Sequence, residues 1–200
     1  MTNFKVLTTI ILALLLTACS NTSNNEQDVQ QAQFIDSAVS GVSYFTPTQS
    51  GTTDENGFFE YLEGETITFV FGEYQVSIPS SKVSNSLTSK KYITPYDFFV
   101  KDDNEAIRFA LFLQTLDNDN DSSNGIQLGD SINLAKDVDF STDDGVLQAL
   151  VQAAPQKSIV SFAQAKEHMR QSIERIEGKE TTSTTKEVVS RFAPPSFPTN

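Results

Sequence analysis

The side chains with the clearest capacity for chemistry lie in one run, Asp117-Asn118-Asp119-Asn120-Asp121-Ser122-Ser123-Asn124-Gly125-Ile126. Its carboxylates recur at alternate positions, and oxygen ligands placed in this way on a turning backbone are what Ca²⁺ requires. The run also has an ordinary interpretation, because Asp and Asn side chains bond readily to the nearby backbone in turns. The sequence therefore leaves open a calcium site and a solvated turn.

The first three aspartates of this run resemble positions one, three and five of EF-hand and dockerin-like calcium loops. The pattern then departs from those families, because Ser122 stands where they have glycine and Leu128 stands at the closing position. A loop that is longer by two residues would close on Asp130 instead. Such a loop would bind Ca²⁺ and stiffen the junction between a β-module and the helices that follow it. The implied calcium ligands are Asp117, Asp119, Asp121 and Asp130.

The remaining polar groups indicate no catalytic centre. Asp102-Asp103-Asn104-Glu105 lies where a helix is predicted to begin, and acidic side chains there complement the helix dipole. His168 is the only histidine and is predicted at the edge of an apolar stripe. The chain has no Gly-x-Ser-x-Gly elbow, phosphate-binding glycine loop or zinc pattern. We predict that the protein is not an enzyme, although a cleft gathering His168 with carboxylates and a serine would favour a hydrolase.

The N-terminus carries a secretion pattern, with one positive charge at Lys5 and an apolar run from Val6 to Leu16. This run is shorter than the roughly 20 residues of a membrane-spanning helix. Leu16-Thr17-Ala18-Cys19 resembles the lipobox of bacterial lipoproteins. The resemblance implies that residues 1–18 are a signal peptide and that Cys19 becomes the first mature residue and carries the lipid, palmitate included. Because Ser20 is not acidic, the resemblance also implies anchoring in the outer membrane, on a face that the sequence does not specify.

Composition limits the partners of the chain. The formal net charge is −12 at pH 7, and removal of Lys5 with the signal peptide makes it −13. So strong a negative charge repels nucleic acid, which is therefore not expected as a partner. The acidity suits divalent cations or a basic partner, and it equally suits the solvated surface of a secreted protein. Cys19 is the only cysteine, so the mature chain cannot form an internal disulfide.

The composition also changes along the chain, and these changes divide it into parts. The predicted parts are a signal peptide over 1–18, a disordered polar tether over 19–33, a β-module over 34–90, a helical region over 91–178 with the Asp-rich loop at 117–130, and a disordered tail over 179–200. We expect an α+β fold in which a small antiparallel β-sandwich-like module is followed by a few amphipathic helices.

Short antiparallel strands with tight turns are predicted in the β-module. Asp54-Glu55-Asn56-Gly57 is predicted to turn with positive φ at Asn56 and Gly57. Alternation from Thr66 to Phe71 places Ile67, Phe69 and Phe71 on one face. The module has more aromatic residues than one face needs, so some are exposed for binding or the helical part covers them, and we expect cover. These residues are Tyr44, Phe45, Phe58, Phe59, Tyr61, Phe69, Phe71 and Tyr74.

Four helical segments are predicted after Ile93. Thr94-Pro95 indicates a short helical turn over 96–100, and Asn104 is predicted to cap a helix over 105–115. Asp143 or Asp144 is predicted to begin a helix that ends near Ala154. Ser161, with Gln three residues later, matches a capping box at the start of the last helix. The apolar stripe of this helix is predicted to contain Phe162, Ala165, Met169, Ile173 and Ile176.

Three segments of the β-module together resemble the transthyretin-like or carboxypeptidase-regulatory-like β-modules of bacterial surface proteins and adhesins. They are Gly41-Val42-Ser43-Tyr44, the run from Gly51 to Tyr61, and Gly64-Glu65-Thr66-Ile67-Thr68-Phe69. The resemblance implies a small β-sandwich on a cell surface and implies no particular activity. Ile93-Thr94-Pro95 and Leu113-Gln114-Thr115-Leu116-Asp117 are similar to helical extensions beside this module in envelope lipoproteins of Gammaproteobacteria.

These features together predict a non-enzymatic, lipid-anchored envelope protein that binds a protein or glycan ligand in adhesion or assembly. The alternative is a structural accessory or inhibitor subunit of an envelope or secretion complex. A wide exposed aromatic face would favour ligand binding by the β-module. A covered β-module with a flat apolar patch on the last helix would favour the subunit.

Overall fold

The computed structural model describes residues 28–129 and 132–179. These ranges contain ten strands and four α-helices, which confirms the α+β class. The strands are β1 (Gln30–Phe34), β2 (Val39–Ser40), β3 (Ser43–Phe45), β4 (Ser50–Thr52), β5 (Phe58–Tyr61), β6 (Thr66–Phe71), β7 (Tyr74–Pro79), β8 (Ser84–Asn85), β9 (Lys91–Ile93) and β10 (Ile126–Gln127). The helices are α1 (Pro95–Phe98), α2 (Asp103–Leu116), α3 (Asp143–Ala153) and α4 (Phe162–Ile176).

The strands form two four-stranded sheets and one two-stranded ribbon. One sheet has the order β4-β3-β6-β7 and is antiparallel throughout. The other has the order β5-β1-β9-β8 and contains one parallel pair, β1 with β9. The ribbon joins β2 to β10 in parallel. Side chains of the two larger sheets meet in the core, where the ring centroid of Phe69 lies 5.1 Å from those of Phe34 and Phe59.

The predicted alternation in β6 is confirmed, because Ile67, Phe69 and Phe71 are all buried. The turn before β5 is also present, and the Asp54 carboxylate accepts hydrogen bonds from the backbone N–H groups of Asn56 and Phe58. One detail of that turn was wrong, since Gly57 takes a positive φ of 76° and Asn56 does not. The hydrogen bonds to the Asp54 carboxylate stabilise the turn, which therefore forms without a positive φ at Asn56.

The predicted start of the folded part at residue 34 was wrong. β1 begins at Gln30 and lies between β5 and β9 in its sheet. The segment reads as polar because three of its five residues are glutamine, yet Ala32 and Phe34 are fully buried on one face. A central strand needs only one apolar face when pairing on both edges satisfies its backbone. The predicted boundary at residue 90 also falls inside this sheet, because β9 pairs with β1.

The capping residues agree with the predictions in two cases of four. Thr94 forms a capping box with Asp97 before α1, and Ser161 forms one with Gln164 before α4. The cap of α2 is Asp102 and not the predicted Asn104. α3 begins at Asp143 as predicted, although Thr142 supplies its cap by accepting a hydrogen bond from the Gly145 N–H. Asp, Thr and Asn compete as caps, so neighbouring candidates are hard to rank from sequence alone.

The expected cover of the aromatic residues is confirmed. Of the eight aromatic side chains in the β-module, five are buried, two are half-buried, and Phe45 is 43% exposed. Helical residues supply part of this cover, since the Phe71 ring centroid lies 5.4 Å from that of Phe109 and the Phe69 ring centroid lies 5.7 Å from that of Phe98. The rings of Tyr44 and Tyr61 pack against Phe59 inside the β-module. One apolar cluster therefore runs through the β-module and the helices. None of the described helices is long and apolar enough to cross a membrane.

Candidate functional site

The Asp-rich run forms a tight loop between α2 and β10. Asp117 ends α2, Asn120 turns the chain with a positive φ of 60°, and Asp121 caps a short 3₁₀-helix over Ser122–Asn124. The Asn118 N–H donates to the Gln127 carbonyl oxygen, and the Gln127 N–H donates to Asp117 Oδ1. The loop is thus closed at its base by the strand that follows it.

Two of the predicted ligands are engaged in bonds within the loop. Asp119 Oδ1 accepts from the Asp121 N–H, and Asp119 Oδ2 accepts from Asn124 Nδ2 at 2.9 Å. Asp121 Oδ1 accepts from the N–H and hydroxyl of Ser123. Among residues 28–129 and 132–179, no group of three or more His, Cys, Asp or Glu is arranged to hold a metal ion. The fourth predicted ligand, Asp130, lies outside the described residues, as does Cys19.

Asp117 differs from the other two aspartates because its side chain is fully buried. Its Oδ2 atom has no hydrogen-bond partner in the described part of the chain. Burial raises the pKa of Asp117, and the neighbouring Asp119 carboxyl raises it further. Nearby, Lys157 Nζ donates to the backbone carbonyls of Leu116 and Asp117 and so caps the end of α2. A buried carboxylate oxygen without a donor is costly, and a bound cation would remove that cost.

A second polar cluster, which the sequence did not indicate, surrounds His168 on α4. His168 Nε2 lies 3.1 Å from Ser37 Oγ, 3.3 Å from the Asp36 carbonyl oxygen and 3.9 Å from Asp36 Oδ1. His168 Nδ1 lies 3.4 Å from Ser122 Oγ. The Ser37 N–H donates to Ser172 Oγ. The cluster therefore joins the turn after β1 to α4 and to the Asp-rich loop.

Asp36 is the most unusual group of this cluster. Its carboxyl is 1% exposed, and Gln114 Nε2 lies 3.0 Å from each of its two oxygens. Burial raises the pKa of Asp36 to about 8, although the Gln114 hydrogen bond acts in the opposite direction. Burial also lowers the pKa of His168, and the charge of Arg175 contributes to that lowering. Near pH 7 the favoured state is a neutral acid beside a neutral imidazole.

The His168 cluster gathers a serine, a histidine and an aspartate, the combination that would favour a hydrolase. In a catalytic triad the serine and the aspartate use different nitrogens of the imidazole. Ser37 and Asp36 both face Nε2. Ser122 faces Nδ1, but a neutral Asp36 would not stabilise the imidazolium that a triad forms. These contacts suit a polar link between α4 and the β-module better than nucleophilic catalysis.

An apolar groove lies between α2, α3 and the start of α4, with a volume of about 460 Å³. Leu147 on α3 is 51% exposed and Ile159 before α4 is 54% exposed, and both line the groove. Val151, one turn after Leu147 on α3, is 61% exposed. The lining residues are Asn104, Arg108, Leu111, Asp143, Val146, Leu147, Leu150, Ile159 and Phe162.

The polar end of the groove is held by Arg108. Its Nε donates to Asp143 Oδ1 at 2.6 Å, and its guanidinium lies 5.9 Å from the centroid of the Phe162 ring. These contacts tie α2 to the first residues of α3 and α4, so the groove is preformed. Neither family models, nor curated proteins, nor solved structures gave a match to this chain.

Sequence reasoning found the Asp-rich loop and missed the other two features. Leu147, Leu150 and Val151 were recognised as apolar residues of a predicted helix. Which of them is exposed depends on what packs against α3, and the sequence does not show this. Asp36 gave one weak signal, a single acid directly after Phe34-Ile35. An isolated carboxyl next to buried apolar residues indicates burial only when the strand before it is recognised.

Proposed function

We propose that the chain is a lipid-anchored, non-enzymatic protein of the bacterial cell envelope that binds a protein partner through the apolar groove, in adhesion or assembly. The observation that carries this proposal is the exposure of Leu147, Val151 and Ile159 around one preformed groove. Exposed apolar surface of this kind is typical of interaction sites. The cover of the aromatic residues in the β-module removes the main support for glycan binding by that face.

The chemistry of the partner follows from the rim of the groove. Asp143 lines the groove and its side chain is 88% exposed, while Asp144 and Asp103 are exposed beside the lining residues Asp143 and Asn104. The only cation among the lining residues, Arg108, is already paired with Asp143. An acidic rim around an apolar groove favours a segment with apolar side chains flanked by Lys or Arg. The lipobox supports placing this groove in the envelope.

Site-specific photo-crosslinking in the host bacterium tests the proposal. A photo-reactive amino acid at position 151 is expected to give an adduct with one protein, and the crosslinked peptide is expected to carry apolar residues beside Lys or Arg. Leu147→Asp should abolish the adduct by placing a charge in the groove. Leu87→Asp is the matched control, because Leu87 is 77% exposed and lies outside the groove.

An adduct that survives Leu147→Asp, or a crosslinked peptide that is acidic, would contradict the proposal. The identity of the partner also separates the two roles that remain. A ligand outside the cell supports adhesion, whereas a component of an envelope or secretion machine supports the role of accessory or inhibitor subunit.

A calcium site in the Asp-rich loop is a second candidate function, favoured by the unpartnered Oδ2 of Asp117. The Asp119 carboxyl lies beside the Asp117 carboxyl and raises its pKa, and a cation stabilises two ionised carboxyl groups that lie so close together. Ca²⁺ would stabilise the junction between α2 and β10 by binding Asp117, Asp119 and Asp121, with Asp130 as the expected closing ligand. To bind the metal, the carboxylates of Asp119 and Asp121 would have to break the hydrogen bonds that they accept within the loop.

Thermal unfolding of the chain from Ser20, with calcium and with chelator, tests this site. Calcium is expected to raise the melting temperature, and Asp119→Ala should remove the rise. Asp139→Ala is the matched control, because Asp139 is also exposed and also accepts a hydrogen bond from the N–H two residues later. An unchanged melting temperature in calcium would show that the loop is a solvated turn.

A further inference from the structure

A small polar pocket of about 260 Å³ lies where the second half of α4 meets the turn after β1, the β8–β9 hairpin and the 3₁₀-helix over Ser122–Asn124. We call it the cationic pocket. It shares no lining residue with the apolar groove. Its lining residues are Gln33, Ile35, Ser37, Ala38, Lys90, Ser123, Asn124, Gly125, Ser172, Arg175 and Ile176.

The described residues that line the cationic pocket include two basic side chains and no acidic one. Within the described part of the chain, neither Lys90 nor Arg175 forms an ion pair, whereas Arg108 and Arg170 both do. The charge of Arg175 contributes to the lowered pKa of His168, which lies about two turns before it on α4. The two acids nearest to Arg175 in sequence have other partners, since Glu174 pairs with Arg170, and Glu177 is engaged by Lys179 and by the hydroxyl of Tyr92. In a chain of net charge −12 this is a local positive site.

The rest of the pocket supplies hydrogen-bonding groups and an apolar surface. The hydroxyls of Ser37 and Ser172 belong to buried residues and bond to each other and to His168. The amide nitrogens of Gln33 and Asn124 donate to Asn56 and Asp119, so within the described part of the chain their amide oxygens are the acceptors left for a ligand. Ile35 and Ile176, both nearly fully buried, pack together in a small apolar cluster. Ser37 takes a positive φ of 56°, which costs free energy for a residue other than glycine and is held by its bonds to α4. Such strain is typical of functional positions.

We propose that the cationic pocket binds the carboxylate of an acidic sugar. Arg175 presents a planar fork of donors that matches a carboxylate, and Lys90 adds a second charge. The amide oxygens of Gln33 and Asn124 match the hydroxyls of a sugar ring, and the isoleucines that line the pocket match its C–H face. An inorganic anion would use the two charges but would leave the apolar surface and the amide oxygens without a role.

Isothermal titration of the full chain in a non-ionic detergent tests this assignment, with sodium glucuronate, glucose and inorganic phosphate as probes. Glucuronate is expected to bind with saturation, and glucose and phosphate are not. Arg175→Gln is expected to weaken glucuronate binding by about tenfold or more, because it removes a charge-assisted hydrogen bond. Lys90→Gln is expected to weaken it as well.

The matched control is Arg170→Gln, which changes another arginine of α4 that is exposed and paired with Glu167 and Glu174. This variant is expected to bind glucuronate like the unchanged chain. The assignment is overturned by an absence of heat with glucuronate, by equal binding of phosphate, or by equal weakening in the Arg170 variant. Because the groove and the pocket are separate, each of these results leaves the proposal for the groove unaffected.

Discussion

Asp36→Asn is expected to stabilise the protein at neutral and alkaline pH. The carboxyl is fully buried, and its pKa is raised from 3.8 to about 8. The folded state therefore holds the proton across a range in which the unfolded chain releases it. Asparagine has the shape of the neutral acid and keeps an oxygen that accepts from Gln114 Nε2. It has no proton to lose, so it removes the linkage to pH.

Below about pH 4 Asp36 is neutral in both states, and it gives no penalty. Between about pH 4 and pH 8 the unfolded chain alone ionises, and folding stability falls by about 1.4 kcal/mol for each pH unit. Near pH 7 the accumulated cost is on the order of 4 kcal/mol, from which about 1 kcal/mol is subtracted for an imperfect hydrogen bond in the variant. Above pH 8 the difference between the two proteins becomes constant.

Urea unfolding followed by circular dichroism at several pH values measures this difference. The variant should be less stable by about 1 kcal/mol near pH 4, and it should become the more stable protein as the pH rises. The titratable groups that face Asp36 are His168 and Tyr96, and both are present in each protein. His168 has a lowered pKa, so it acts in the opposite direction, with stability lost as the pH falls below 6.5. A variant that is less stable at pH 7 would refute the reasoning, because it would show an ionised Asp36 paired with a charged His168.

Three further predictions concern the anchor and the packing. Cys19→Ser is expected to move the protein out of the membrane fraction and to abolish incorporation of labelled palmitate; unchanged membrane association would contradict the lipobox interpretation. Gly57→Ala is expected to cost about 2–3 kcal/mol in urea unfolding, because its φ is 76° and an added Cβ would lie 2.8 Å from the Phe34 carbonyl oxygen. Gly64→Ala is the control, because Gly64 has a φ of 90° and open space around it, and it should cost only about 1 kcal/mol. Equal losses of stability in the two variants would show that the contact with the Phe34 carbonyl oxygen is unimportant. Phe109→Ala is expected to cost about 3–5 kcal/mol in the same assay, since its ring centroid lies 5.4 Å from that of Phe71 and 5.1 Å from that of Phe140. A loss under about 1 kcal/mol would show that the core collapses into the space that the ring leaves.

Local patterns predicted the parts of the fold that local chemistry determines. The turn at Asp54, the alternation of β6 and the capping box at Ser161 are each decided by residues within a few positions of one another. The stripe of α4 was predicted in part, because Ser172 is buried whereas Phe162 and Ile173 are only half-buried. The Ser172 hydroxyl accepts a hydrogen bond from the Ser37 N–H. A polar residue on a buried face is recognisable only when its partner is known.

The His168 cluster was not predictable, because its members are distant in the chain. Asp36 lies 78 residues from Gln114 and 132 from His168. β1 brings Asp36 and Ser37 to these partners. Because β1 is rich in glutamine, most of it was predicted to belong to the disordered tether. The spacing of four and three places His168, Ser172 and Arg175 on one side of α4, so the sequence indicated which α4 residues could act together. It did not indicate their partners. Recognising β1 as a strand would have pointed to Asp36 as a buried acid and to the turn after β1 as one wall of the cationic pocket.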